Sequence, residues 1–171
     1  GPNIMQGYHN RDQENAEVFT SDRGFRTGDL GYLDDDGYLY ITGRIKEQYK
    51  LENGKYVSPA PLEELLKLSP FILNAMVYGD NRLYNVALVV IDPEYVKTWA
   101  SEQGLSFKDN DEMCKNDAVK KQVMKEVEHY SKDWKGFEKV QKITLTAEDF
   151  TTANNMLTPS LKVKRRFVWQ K

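Results

Sequence analysis

The sequence predicts an α+β fold: a small mixed sheet with flanking helices, preceded by a β-hairpin. Three observations point to it. Tyr32–Leu33 and Tyr38–Ile41 have strand propensity and are joined by Asp34-Asp35-Asp36-Gly37, a strong hairpin signal because Gly accepts the positive φ of a tight turn. Ile72–Tyr78 and Val86–Ile91 are nearly continuous apolar runs rich in β-formers, separated by the turn residues Gly79-Asp80-Asn81. From Asp117, Val119, Val123, Val127, Tyr130 and Trp134 recur at helical spacing. The resulting order, βαββα…αβ, contains no internal repeat and no low-complexity tract.

Taken in order, Gly1–Tyr8 reads as loop, either native or an appended tag. His9–Ser21 is polar without clear periodicity, a surface loop or a short helix. After the hairpin, Asn53-Gly54 marks a turn and Tyr56-Val57 a short strand. Ser58-Pro59-Ala60-Pro61-Leu62-Glu63-Glu64 opens a helix, with Ser58 as N-cap, proline in the first turn and acids at the positive end. Its apolar face carries Leu62, Leu65, Leu66 and Leu68, and it stops before Pro70. The two apolar runs read as central, well-buried strands. Asp92-Pro93 starts a helix bearing Tyr95, Val96 and Trp99, closed by Gly104. Lys108–Met113 reads as polar connection, and the helix from Asp117 presents Lys120, Lys121, Lys125 and Glu126 as a solvated face. Val140–Leu145 alternates as a third strand of this sheet. Leu157-Thr-Pro-Ser-Leu161 forms an exposed turn presenting Lys162, followed by Lys164, Arg165, Arg166 and Lys171.

Composition bounds the rest. At 171 residues there is room for one ordinary domain, or one and part of another. A net charge of −2 supplies no general reason to expect nucleic acid. The single cysteine, Cys114, excludes an internal disulfide and a cysteine zinc site, which suits a reducing compartment. His9 and His129 have no ligand-spaced partners, so no metal site is expected. No run approaches the ~18 apolar residues of a membrane span, and no signal peptide opens the chain. The first residue is not Met, and the chain reads as a piece of something longer.

Two stretches concentrate chemistry. In the Thr27-Gly28-Asp29-Leu30-Gly31 loop, glycines allow close backbone approach to a ligand. Across the hairpin, just past Gly43, lie Arg44 and Lys46. A carboxylate and a guanidinium brought together this way suit a polyol or a nucleotide sugar. Arg26-Thr-Gly-Asp-Leu-Gly31 followed by Gly37-Tyr-Leu-Tyr-Ile-Thr-Gly-Arg-Ile-Lys46 resembles the signature of the adenylate-forming enzymes, which include acyl-CoA synthetases, luciferases and peptide-synthetase adenylation domains. Gly1–Tyr8 also fits that family's pattern. The tail, Phe137-Glu-Lys-Val140 and then Leu157-Thr-Pro-Ser-Leu-Lys-Val-Lys-Arg-Arg166, is similar to the long-chain fatty acyl-CoA synthetase form of the family's C-terminal lysine phrase. It departs from the wider superfamily at Leu161, where Gly is usual, and from the long-chain form at Ser160 (for Thr). Asn155 stands where Gly is common, a mild change because Asn tolerates left-handed backbone.

The resemblance implies an organisation and a reaction. Residues 1–43 would be the end of an N-terminal domain with its ribose-binding loop, 44–47 a hinge, and 48–171 the mobile C-terminal domain. ATP and a long-chain fatty acid would give acyl-adenylate and pyrophosphate, and the thiol of CoA would then displace AMP. Lys162 would be the catalytic lysine, between the substrate carboxylate and the α-phosphate. Asp29 and Arg44 would hold the ATP ribose, because a carboxylate accepts from both hydroxyls of a diol and a guanidinium donates. Lys46 would be the hinge, and Gly54, in a loop over Lys50–Val57, would let the arm of CoA pass. Gly54 reads equally well as a simple turn glycine, and Glu63 as an acid favoured at a helix start. The phosphate loop, adenine pocket, acyl tunnel and Mg2+-binding glutamate lie upstream in the family, so the chain alone is expected to be inactive. The resemblance implies a cytoplasmic location and allows peripheral membrane association, and unpaired strand edges of residues 1–43 would allow self-association. Alternatives are a fatty acyl-AMP ligase, a synthetase for another carboxylic acid, or a non-catalytic module binding membrane or nucleic acid through its basic tail.

Overall fold

Residues 2–169 are described by the computed structural model, in which the chain divides into two units, Gly1–Lys46 and Glu47–Lys171. Gly1 and Lys171, each part of a sequence reading above, lie outside the described residues.

The first unit holds a short helix α1 (Asp12–Val18) and a hairpin of β1 (Asp29–Leu33) and β2 (Leu39–Arg44). The Asp34 carboxylate nucleates its turn, accepting from the backbone N–H of Asp36 at 3.1 Å and of Tyr38 at 2.8 Å. Gly37 takes the left-handed φ of +85° that the turn requires. Pairing in the hairpin sets Asp29 opposite Arg44 and Tyr32 opposite Tyr40, whose rings stack with centroids 5.1 Å apart.

The second unit begins in a single 3₁₀ turn, Ile45–Glu47, which spans the boundary. A small ribbon of β3 (Tyr49–Lys50) and β4 (Tyr56–Val57) follows, then α2 (Pro59–Leu66). The sheet has the order β5 (Ile72–Tyr78), β6 (Asn85–Ile91), β7 (Val140–Thr146), antiparallel and then parallel. A parallel step needs a long crossover. It is supplied by α3 (Pro93–Glu102), α4 (Asn110–Lys115) and α5 (Asp117–Tyr130). Asp92, Asp109 and Asn116 cap these three helices with side-chain oxygens. One core contains Leu62 and Leu66 of α2, Val96, Met113, and Val119, Val123 and Val127 of α5, packed with Val77, Val89 and Ile143 of the sheet. A second, smaller core joins Met76 and Val90 to Phe150, Met156 and Val168 of the C-terminal segment. Complete burial of each such Val or Leu contributes about 1.5–3 kcal/mol.

Several local expectations change. Leu65 and Leu68 are exposed, and the buried face of α2 is Pro59, Leu62, Glu63 and Leu66. Ser58 occupies the N-cap position without capping. Its hydroxyl accepts from Gln48 Nε2 at 2.9 Å, and Pro61 offers no N–H at the third helical position, where a capping side chain usually bonds. Lys108–Met113 is not all connection, because Asp109 caps α4 there. Only β6 is central, and β5 lies at a sheet edge. Trp134 is buried but lies past the end of α5. Glu126 is not freely solvated, accepting from Ser69 Oγ at 2.9 Å and Gln122 Nε2 at 3.1 Å.

A buried polar node ties the ribbon to the sheet. Tyr49 donates its hydroxyl to Asn85 Oδ1 at 2.7 Å, and Asn85 Nδ2 donates to the carbonyls of Phe137 and Glu138, each at 2.9 Å. Gly79 makes room for it, since a Cβ there would meet Asn85 Oδ1 at 2.4 Å. Burial, and next the charge of Glu63, pushes the Tyr49 hydroxyl well above the usual tyrosine range. The folded state therefore favours the protonated phenol. This contribution to stability is intact below pH ~10, the ordinary tyrosine pKa, and is lost progressively as pH rises above it. Urea denaturation between pH 9 and 11 should show stability falling in the wild-type chain and a shallower fall in Tyr49→Phe. A second test concerns Leu161, which holds a left-handed φ of +60° while 72% exposed. Leu161→Gly relieves about 1–2 kcal/mol of strain against about 0.5–1 kcal/mol of added chain entropy. Stability in urea should rise slightly for Leu161→Gly and fall for the β-branched Leu161→Ile.

Candidate active site

The hairpin register brings Asp29 and Arg44 together as a cross-strand pair, with Arg44 Nε donating to Asp29 Oδ1 at 2.8 Å. Thr27 Oγ1 accepts the backbone N–H of Asp29 at 3.1 Å, and the carbonyl of Gly28 accepts from Ile45 N at 2.9 Å, so the loop is braced on both sides. Side-chain exposure is 45% for Arg44 and 33% for Asp29. Among the described residues, the second carboxylate oxygen of Asp29 and the terminal guanidinium nitrogens of Arg44 make no further hydrogen bond. The pair thus offers an acceptor and several donors on one face, the complement of a vicinal diol.

Lys46 is exposed in the 3₁₀ turn where one unit ends and the next begins. Gly54 is the turn residue between β3 and β4, at φ +83°, its N–H donating to the carbonyl of Leu51 at 2.9 Å. A Cβ on Gly54 would meet only Lys50 Cε, at 3.9 Å, so backbone conformation rather than crowding calls for glycine here.

Lys162 sits on a tight turn in the second unit. Thr158 N donates to the Lys162 carbonyl at 2.8 Å, Lys162 N donates to Thr158 Oγ1 at 3.0 Å, and Leu161 N donates to the Thr158 carbonyl at 2.9 Å. Leu157 and Val163 bridge below it, and Lys164 N donates to the Met156 carbonyl at 2.7 Å. Met156 is buried in the second core, so the turn stands on a fixed base while Lys162 stays exposed. Asn155 takes φ +64°, the left-handed conformation its side chain tolerates, and its Oδ1 accepts from Lys164 Nζ.

The basic tail is not a continuous exposed patch. Arg165 opens the short helix α6 (Arg165–Val168), and its guanidinium forms a two-pronged pair with Glu63, Nη1 to Oε1 at 2.5 Å and Nη2 to Oε2 at 2.6 Å. Burial works to lower the pKa of Arg165, but the hydrogen bonds and charge of Glu63 outweigh it, and the net shift is upward. Glu63 Oε1 also accepts the N–H of Val77 at 2.7 Å, so this acid is a buried structural anchor rather than an acid exposed at a helix start. Sequence reasoning missed the pair. The one available signal was an acid beside two apolar positions, Leu62 and Leu66, on the same helical face.

Comparison with known proteins gives the family of the chain. Residues 46–171 match the family described as AMP-binding enzyme C-terminal domain. The chain is 33% identical over 170 residues to long chain acyl-CoA synthetase 7, peroxisomal, of Arabidopsis thaliana, covering 96% of this chain and 24% of that protein. Against long-chain-fatty-acid–CoA ligase FadD15 of Mycobacterium tuberculosis it is 38% identical over 176 residues, covering 98% and 28%. Against long-chain-fatty-acid–CoA ligase 1 of Homo sapiens it is 36% identical over 170 residues, covering 96% and 24%. The chain therefore spans about a quarter of the length of these relatives. Among solved structures, the A-PCP didomain of the carboxylic acid reductase of Segniliparus rugosus, in complex with AMP, superposes with a TM-score of 0.79 at 26% identity, covering 98% of this chain and 22% of that one. On these grounds the chain belongs to the AMP-binding enzyme C-terminal domain family.

Proposed function

We propose that this chain is the C-terminal part of a long-chain fatty-acid–CoA ligase. In that reading ATP activates a fatty acid as its acyl-adenylate, and CoA then takes the acyl group as a thioester. The observation that carries it is the exposed Lys162, raised on a braced turn in a unit separate from the Asp29–Arg44 pair. Similarity to three long-chain ligases along nearly the whole chain supplies the substrate class.

Each residue then has a physical task. Asp29 accepts from the ribose hydroxyls of ATP, and Arg44 donates to the same sugar while holding the acid in place. Lys162 brings a positive charge to the point where the fatty carboxylate approaches the α-phosphate. Two anionic groups repel there, and a fixed cation is worth most as charge builds in the transition state. Lys46, at the boundary between units, is the hinge residue, where a few residues absorb a domain rotation. After rotation the loop Lys50–Val57 replaces the Lys162 turn, and Gly54 leaves a smooth backbone surface for the arm of CoA. Magnesium accompanies ATP in this reading, but among the described residues no group of three or more His, Cys, Asp or Glu could hold it, and no step here depends on it.

Tyr32, Leu33, Tyr38, Leu39 and Ile41 are exposed along the hairpin, an apolar surface suited to the remainder of such an enzyme or to a second copy. The reading places the enzyme in the cytoplasm and allows peripheral contact with a membrane. No helix among the described residues is long and apolar enough to cross one.

In the full-length ligase, Lys162→Ala should lower acyl-adenylate formation from ATP and palmitate by about 10²–10³ while sparing thioester formation from supplied palmitoyl-adenylate. Equal impairment of both half-reactions, or of neither, would remove Lys162 from the role. Asp29→Ala should raise the KM for ATP with a smaller effect on kcat, and an unchanged ATP dependence would reject the ribose assignment.

A further inference from the structure

We propose that Arg165 is a positioning residue for Lys162, held by Glu63 so that the lysine turn projects in one fixed direction. This rests on the role of Lys162 proposed above.

Lys162 and Arg165 are three residues apart, and the two residues between them are already committed. Val163 is bridged to Leu157, and Lys164 is bonded through its backbone to Met156 and through its side chain to Asn155. The direction of the turn is therefore set by what holds its two roots. On the entering side that is Met156, buried in the second core. On the leaving side α6 has only four residues, too few to be stable alone, so its placement depends on tertiary anchors.

Those anchors differ in kind. Val168 is buried in the second core, and the Trp169 ring lies 4.2 Å from that of Tyr78, contacts that retain the segment but tolerate small slides. Arg165 is directional. Its fork meets both oxygens of Glu63, and Nη1 also reaches the Val77 carbonyl at 3.4 Å, while Glu63 accepts the Val77 N–H. Helix α2, edge strand β5 and the segment after Lys162 are locked at a single point. Buried ion pairs add little net stability over apolar groups of equal volume, because desolvation offsets the attraction. What this one supplies is a unique geometry, which a lysine acting at a reacting centre needs. A misplacement of about 1 Å costs about 10²-fold in rate.

The test uses the full-length ligase and measures the two half-reactions separately. Arg165→Lys keeps the charge but loses the fork. It should lower the kcat of palmitoyl-adenylate formation about 10–100-fold, leave the KM for ATP within about two-fold, and leave thioester formation from supplied palmitoyl-adenylate unchanged. Introduced alongside Lys162→Ala, it should add no further loss, because it acts only through that lysine. Glu63→Gln, which still accepts from Val77, should reproduce the pattern if Arg165→Lys does not fold. Equal loss in both half-reactions, or an additive loss on top of Lys162→Ala, would overturn the proposal and make the pair purely structural. Intact adenylation in Lys162→Ala would instead remove the reading beneath it, and the positioning role with it.

Discussion

A three-stranded sheet has two edges, and on β5 the outward backbone groups of Val77 have no neighbouring strand to meet. Glu63 and Arg165 take that place: the acid accepts the N–H, the guanidinium reaches the carbonyl, and the two bind each other. Each charge would cost several kcal/mol to bury alone, so neither side chain is tolerable without the other. That mutual requirement joins residues 102 positions apart and draws the C-terminal segment onto the sheet. The second core, with Phe150, Met156 and Val168 over Met76 and Val90, closes around the same segment.

The second polar node works alongside the first. Tyr49 and Asn85 sit near it, at the same end of the β5–β6 pair, where Asn85 satisfies the carbonyls of Phe137 and Glu138 before β7. In neither node is a buried side-chain nitrogen or oxygen left without a hydrogen-bond partner, so the two specify one arrangement rather than merely add energy. The lysine turn is built on that rigid unit and contributes almost nothing to it. Lys162 is exposed and has no acidic partner among the described residues. The Asp29–Arg44 pair is similar in spirit. An ion pair as exposed as this one is worth about 1 kcal/mol or less, so it adds little to the stability of the hairpin.

Much of this was legible in the chain itself. The hairpin, the three sheet strands, the helix after Asp92 and the long helix after Asp117 follow from turn chemistry and periodicity, because those signals act over a few residues. The hairpin turn sets Asp29 and Arg44 on facing strands, but their direct pairing also needs the register shift between Leu30 and Gly31, which the turn alone does not determine. Lys162 stands out because Leu157–Leu161 can hardly do anything but turn. The resemblance to the family was carried by local phrases of the same kind.

Other features depended on partners distant in sequence. Leu65 looked like core and is exposed, while Glu63 looked like a surface acid and is buried, because Val77 and Arg165 decide which side of α2 faces inward. Lys108–Met113 is an exception, because the cap that Asp109 gives to the N–H of Glu112 is itself a local signal. Arg165 looked like one more charge in a basic tail. Local pattern determined which segments would be helix, strand or turn, since backbone preference and side-chain period are short-range properties. Only the folded chain decided which charges would be desolvated, because desolvation depends on everything that surrounds a group and not on its neighbours in sequence.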